Sequence, residues 1–169
     1  MPLLPYEKFE MTSSMSPGEV LVKLADSTEP KKWMRLFGGG RCPFEGEVFG
    51  NAFEIRRIIG YRNSFLPQIS GTVGPGPSGG SQIVIGMTLH PFVLVFMCVW
   101  FGGVIVANLA VVMSLLTGKP AMHGSGWATL GPLGMLLFGW VLVSGSFSIE
   151  SRKATELLSM LLSASKTVA

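Results

Sequence analysis

The chain has 169 residues, 48% of them hydrophobic, and only 14% are Asp, Glu, Lys or Arg, where a soluble domain carries about 25%. Seventeen of the 23 charged side chains lie in residues 1–62, and between Arg62 and Glu150 the only one is Lys119. A soluble globule cannot hide such a stretch, which excludes an ordinary cytosolic enzyme; disorder, collagen and a disulfide scaffold are excluded by composition as well. The formal net charge is +3, but residues 1–90 hold nine Lys/Arg against eight Asp/Glu, so no basic stripe suggests nucleic acid as a partner.

Met1-Pro2-Leu3-Leu4-Pro5 has no basic region ahead of an apolar core, so no signal peptide is expected. Residues 6–12 alternate as a first strand. Ser16-Pro17-Gly18-Glu19 forms a capping box with proline at the first helical position, and Val20, Leu21 and Leu24 give the following helix an apolar side. A second short helix is expected around Trp33, Met34, Leu36 and Phe37, stopped by Gly38-Gly39-Gly40.

The apolar period then changes to two. Phe44, Gly46 and Val48 share a strand face, and Gly50-Asn51 makes a turn. Phe53 and Ile55 alternate with Glu54 and Arg56; Leu66, Gln68 and Ser70 alternate with Ile69, Gly71 and Val73; Ile83, Ile85, Met87 and Leu89 alternate with Gln82, Val84, Gly86 and Thr88. Four such strands on hairpin connections predict an antiparallel meander, ending at His90-Pro91.

Residues 92–116 and 127–149 are two uncharged apolar runs, each long enough as a helix to cross a hydrocarbon core of about 30 Å. The short linker, with Gly118, Lys119, Pro120, His123, Gly124 and Gly126, makes them an antiparallel hairpin. Lys and Arg are sparse in that linker and frequent outside it, so both termini are expected to be cytoplasmic, at a bacterial inner or comparable membrane. Gly103, Ala107 and Ala110 form a small-residue face on the first span, and Gly131, Gly134 and Gly139 offer one on the second, with Pro132 as a kink. Asn108, the strongly polar residue at bilayer depth, reads as an interhelical hydrogen-bonding group. Residues 148–163 then form an amphipathic helix with Ala154, Leu157, Leu158 and Leu161 on one face, widened by Met160 and Leu162.

That face needs a partner and the meander needs a cover, so the final helix is expected to return to the sheet. The fold class is therefore α+β: a cytoplasmic domain (1–90), an inserted transmembrane helical hairpin (91–149) and a closing C-terminal helix (150–169). This order resembles the helix-grip arrangement of START and Bet v 1-like domains; a PH-like half-barrel capped by a helix is the alternative. Phe44-Glu45-Gly46-Glu47-Val48, Tyr61-Arg62-Asn63-Ser64-Phe65-Leu66-Pro67 with Gly71, and Leu89-His90-Pro91 also resemble a group of small two-span bacterial membrane proteins. That likeness implies no activity and transfers no functional residue.

The candidate chemistry is sparse. Gly74-Pro75-Gly76-Pro77-Ser78-Gly79 fits G-x-G-x-x-G, but a strand pattern follows it instead of a helix, so it reads as a hairpin tip. His90 and His123 stand on opposite sides of the apolar runs and cannot share a metal. Cys42 and Cys98 read as free thiols. No G-x-S-x-G elbow is present. Glu45 and Glu47 read as a solvated strand face. Arg56, Arg57 and Arg62 cluster at a strand end, and strand parity turns Arg57 toward the core face and Arg56 away from it. Arg57 and Arg62 are thus the expected contact for an anionic lipid headgroup, with Arg56 as solvated surface paired to Glu54. The expected role is non-catalytic and without cofactor: an accessory or scaffold subunit in the lipid bilayer, bound to a membrane-protein partner or to its own copies. The alternative is a lipid or other hydrophobic ligand held between the last helix and the sheet.

Overall fold

A computed structural model describes residues 5–31, 41–61, 63–76, 79–118 and 127–167. The strands are β1 (Tyr6–Ser13), β2 (Thr28–Glu29), β3 (Phe44–Phe49), β4 (Ala52–Arg57), β5 (Gln68–Pro75), β6 (Ser81–Thr88) and β7 (Ala164–Thr167). The helices are α1 (Pro17–Asp26), α2 (Pro91–Thr117) and α3 (Trp127–Leu162). The short helix expected near Trp33 and the linker residues 119–126 lie outside the described residues.

The strands form one sheet in the order β2-β3-β4-β5-β6-β1-β7. Strands β3 to β6 are the antiparallel meander that alternation predicts. The sheet as a whole is mixed, because β2 runs parallel to β3. Strand β1 lies between β6 and β7, antiparallel to both. Neither β2 nor β7 has an apolar alternation, so their pairing is imposed by the open edges of their neighbours.

Register places one set of side chains on the inner face. Phe53 faces Gly71, Ile55 faces Ile69, Val73 and Met11 both face Ile83, and Phe9 faces Ile85. These side chains pack with Val20 and Leu24 of α1 and with Phe147, Ala154, Leu158 and Leu162 of α3, all of them buried. Each large side chain so buried contributes about 1.5–3 kcal/mol. Two glycines are required by close approach. A Cβ on Gly71 would lie 2.5 Å from Cζ of Phe53, whose ring lies across it. A Cβ on Gly46, which has φ +151°, would lie 2.0 Å from the Glu54 carbonyl oxygen.

Helix α1 starts as its sequence dictates. Pro17 occupies the first turn, Glu19 N–H donates to Ser16 Oγ, and the Ser16 N–H donates to Glu19 Oε2 at 2.8 Å. The Ser16 hydroxyl also donates to the same carboxylate, and together these bonds hold Glu19 below the usual carboxylate range. Helix α2 starts at His90, whose Nδ1 accepts from Phe92 N–H at 3.2 Å, and stops at Gly118 in the left-handed conformation.

Helices α2 and α3 are long and apolar enough to cross a membrane. Much of their apolar surface faces outward: Phe92, Val99, Leu116 and Phe138 are 68–77% exposed. Helix α3 has 36 residues, so it is about 54 Å long. It runs through Pro132 and on past Glu150 without a break. The second apolar run and the expected closing helix are thus one element; no proline or glycine pair near 149–150 interrupts it.

Two expectations follow. Leu158→Ala should destabilise the fold by about 2–5 kcal/mol, whereas Met160→Ala, on a side chain 76% exposed, should be nearly neutral; urea unfolding in detergent micelles compares them. The Glu19 contribution should be complete above the ordinary carboxylate pKa of about 4.3 and disappear as pH falls through the lowered folded value. Amide exchange in the first turn of α1 should therefore increase in acid beyond its intrinsic rate, and Glu19→Gln should remove that dependence.

Candidate functional site

The polar side chains of greatest structural consequence meet where β4 ends against α3. Arg57 points inward, as strand parity requires, and Phe44 stands opposite it in β3. Its Nη2 lies 2.8 Å from Oε2 of Glu150, with the two side chains 14% and 4% exposed. The Tyr61 hydroxyl donates to Oε1 of the same carboxylate. Lys153, one turn further along α3, places Nζ 3.5 Å from that oxygen. A buried carboxylate thus collects a guanidinium, a phenol and an ammonium, which offset the cost of taking its charge out of water.

Arg56 points to the opposite face. It is exposed there, as parity suggests, and its Nε donates to Oε1 of Glu45, the residue opposite it in β3. Glu45 is buried at 5% exposure while Glu47 is exposed, so the two carboxylates do not form one solvated face. Glu54 pairs instead with Lys31, at 3.9 Å.

Beside these pairs lies a cavity of about 380 Å³. Its polar wall comprises Glu45, Arg56, Arg57, Tyr61, Asn63 and Ser64; Ile58, Ile59 and Leu66 form its apolar side. Asn63 is held by its own turn, with Oδ1 accepting from Phe65 N–H at 2.9 Å. Arg62 lies outside the described residues.

The helix-packing candidates are spread along the apolar pair. Gly103, Gly131 and Gly134 face open space, and Ala107 and Ala110 are exposed. The two helices approach closely at Gly139, where a Cβ would lie 3.3 Å from Nε1 of Trp100 and 3.4 Å from Phe101. Asn108 bonds within its own helix, Nδ2 donating to the Val104 carbonyl at 2.8 Å. At the β5–β6 hairpin, Gly74 and Pro75 pair with Gln82 and Ser81 and Gly76 N–H donates to the Gly80 carbonyl. Cys42 and Cys98 are free thiols. Among the described residues no group of His, Cys, Asp and Glu could hold a metal ion.

Glu150 is the residue that sequence reasoning missed. Its signal was present: it is the first carboxylate after Glu54, directly following an apolar run. A lone ionisable group in such a place calls for a named partner. Comparison with protein-family models, curated proteins and solved structures gives no match.

The Arg57–Glu150 pair has a testable consequence. Arg57→Met leaves a buried carboxylate without its guanidinium and should cost about 3–5 kcal/mol. Adding Glu150→Met should recover most of that loss, as a double-mutant cycle by urea unfolding in micelles would measure.

Proposed function

We propose that this chain is a non-catalytic integral membrane protein, in which α2 and α3 form a transmembrane hairpin inserted between β6 and β7, and that it serves as an accessory or scaffold subunit for another membrane component. The observation that carries this reading is the continuity of α3. One helix provides both an apolar segment with outward-facing side chains and the cover of the sheet, where Leu158 and Leu162 are fully buried. Helix α2, about 40 Å long, also exceeds a hydrocarbon core of about 30 Å. A rigid rod of this kind holds the α+β domain in a set orientation at the membrane surface, which suits positioning a partner.

The small-residue faces support the partner half of the proposal. Gly103, Ala107 and Ala110 on α2 and Gly131 and Gly134 on α3 are exposed, and a Cβ at any of these glycines would meet nothing within 4 Å. They leave room for a helix of another protein or of a second copy. The Lys and Arg distribution supports a cytoplasmic side for both termini. The layer between α3 and the sheet is filled by Phe53, Met87, Phe147, Leu158 and Leu162, each 0–1% exposed, which disfavours a ligand held there.

Reporter fusions at either terminus should read as cytoplasmic, and one inserted within residues 119–124 should not; a non-cytoplasmic C-terminus would overturn the hairpin. Purification from native membranes in mild detergent should retain a stoichiometric membrane protein or a second copy. Gly103→Leu and Gly134→Leu should weaken that retention while the domain stays folded. Unchanged retention in both would remove the small-residue faces from the interface.

A further inference from the structure

The cavity at the end of β4 has a donor set and a position that point to a ligand. We propose that it binds the phosphodiester of a singly anionic phospholipid, phosphatidylglycerol being the simplest probe; the shared chemistry is a tetrahedral phosphate oxyanion. This rests on the hairpin reading above and deepens it by naming what the surface-held domain touches.

Consider first which guanidinium is available. Arg57 directs Nη2 at Glu150 and Tyr61 and is 14% exposed, so it is committed inside the chain. Arg56 engages Glu45 through Nε alone, and its side chain is 45% exposed. Its terminal nitrogens have no partner among the described residues. A guanidinium anchored through one edge by a buried carboxylate has lost much of its rotamer freedom before a ligand arrives, and its other edge presents the parallel N–H groups that suit an oxyanion. Asn63 is similarly prepared: its Oδ1 is taken by Phe65 N–H, so its amide nitrogen is left as the donor. Ser64 adds a hydroxyl on the same wall.

Charge sets the ligand class. Arg56 and Arg57 are balanced by Glu45 and Glu150, with Lys153 as the additional cation near the pair. Among the described residues this leaves one surplus positive charge, which suits a monoanionic diester better than a multiply charged phosphomonoester. The apolar side of the cavity, Ile58, Ile59 and Leu66, gives a free phosphate nothing but matches the glycerol and first methylenes of a lipid.

Position agrees. Arg56 pairs with Gln68, which pairs with Thr88, three residues before α2 begins at Pro91. Two strand spacings of about 4.8 Å put Arg56 roughly 10 Å from the strand that leads into α2. The neighbouring Arg57 is tied to Glu150, where the apolar run of α3 ends. The cavity is therefore at headgroup level if the helices span the bilayer.

The test uses the full chain in nanodiscs of phosphatidylcholine alone or mixed with phosphatidylglycerol, reading hydrogen exchange of residues 58–66 and lipid retained in native mass spectrometry. Phosphatidylglycerol should protect the segment and be retained. Asn63→Asp keeps the acceptor for Phe65 N–H but places a carboxylate on the cavity wall; Arg56→Lys keeps a cation beside Glu45 but loses the fork. Each should weaken retention by about tenfold or more, the worth of a charge-assisted hydrogen bond. Equal protection in phosphatidylcholine alone, or full retention by both variants, overturns the proposal. Equal protection by inorganic phosphate added to protein in detergent assigns the site to a soluble phosphate and overturns the lipid. A chain extracted from membranes by alkaline carbonate would overturn the hairpin reading, whereas a chain that resists extraction but ignores phosphatidylglycerol would overturn the cavity assignment alone.

Discussion

Helix α3 passes from its apolar segment into the cover of the sheet with no interruption at Ile149–Glu150, and that continuity constrains everything packed around it. A helix has one rotation about its axis. Turning Leu158 and Leu162 into the sheet also decides which side Gly139 presents to Trp100 and which side carries Glu150 to Arg57. The apolar core and the buried ion pair are therefore two readings of one angular setting. The ion pair adds little net stability by comparison with apolar packing, but a wrong rotation would bury an unpaired carboxylate, so it discriminates against misregistered helices.

The far end of α3 is held as firmly. Ser13 of β1 donates its hydroxyl to the Leu162 carbonyl at 2.6 Å, and the chain turns at Ser163 in the left-handed conformation into β7. Strand β7 then pairs with β1, and Lys166 reaches Glu7 at 2.8 Å and the face of Phe9 at 4.2 Å. Strand β1 thus joins the meander, the end of α3 and the last strand. This closes the domain across two intervening helices of 27 and 36 residues.

On the proposed reading, function comes from where surfaces are held. The α+β domain has its α3 face filled by its own side chains, while the β4 end keeps a cavity with donors on one wall and apolar side chains on the other. That division between a filled apolar core and a cavity-bearing end is the physical basis for proposing ligand chemistry at the end of the sheet.

Local patterns in the sequence determined the local elements. The period-two alternation of residues 44–57 and 68–89, the capping box at Ser16–Glu19, and the two uncharged runs each express a constraint that acts within a few residues, so strands β1 and β3 to β6, helix α1 and the two long helices were legible. Strand parity also placed Arg57 on the inner side. What only the tertiary structure decided depends on partners distant along the chain. Strands β2 and β7 have no apolar alternation and exist because an open edge stands beside them. The mate of Arg57 is 93 residues away, and that of Arg56 is a carboxylate across a strand pair that alternation alone assigns to solvent. The uninterrupted run of α3 past residue 149 was hidden for a related reason. A change from apolar to amphipathic composition looks like a boundary in one dimension, yet it is only a change in what surrounds the same helix.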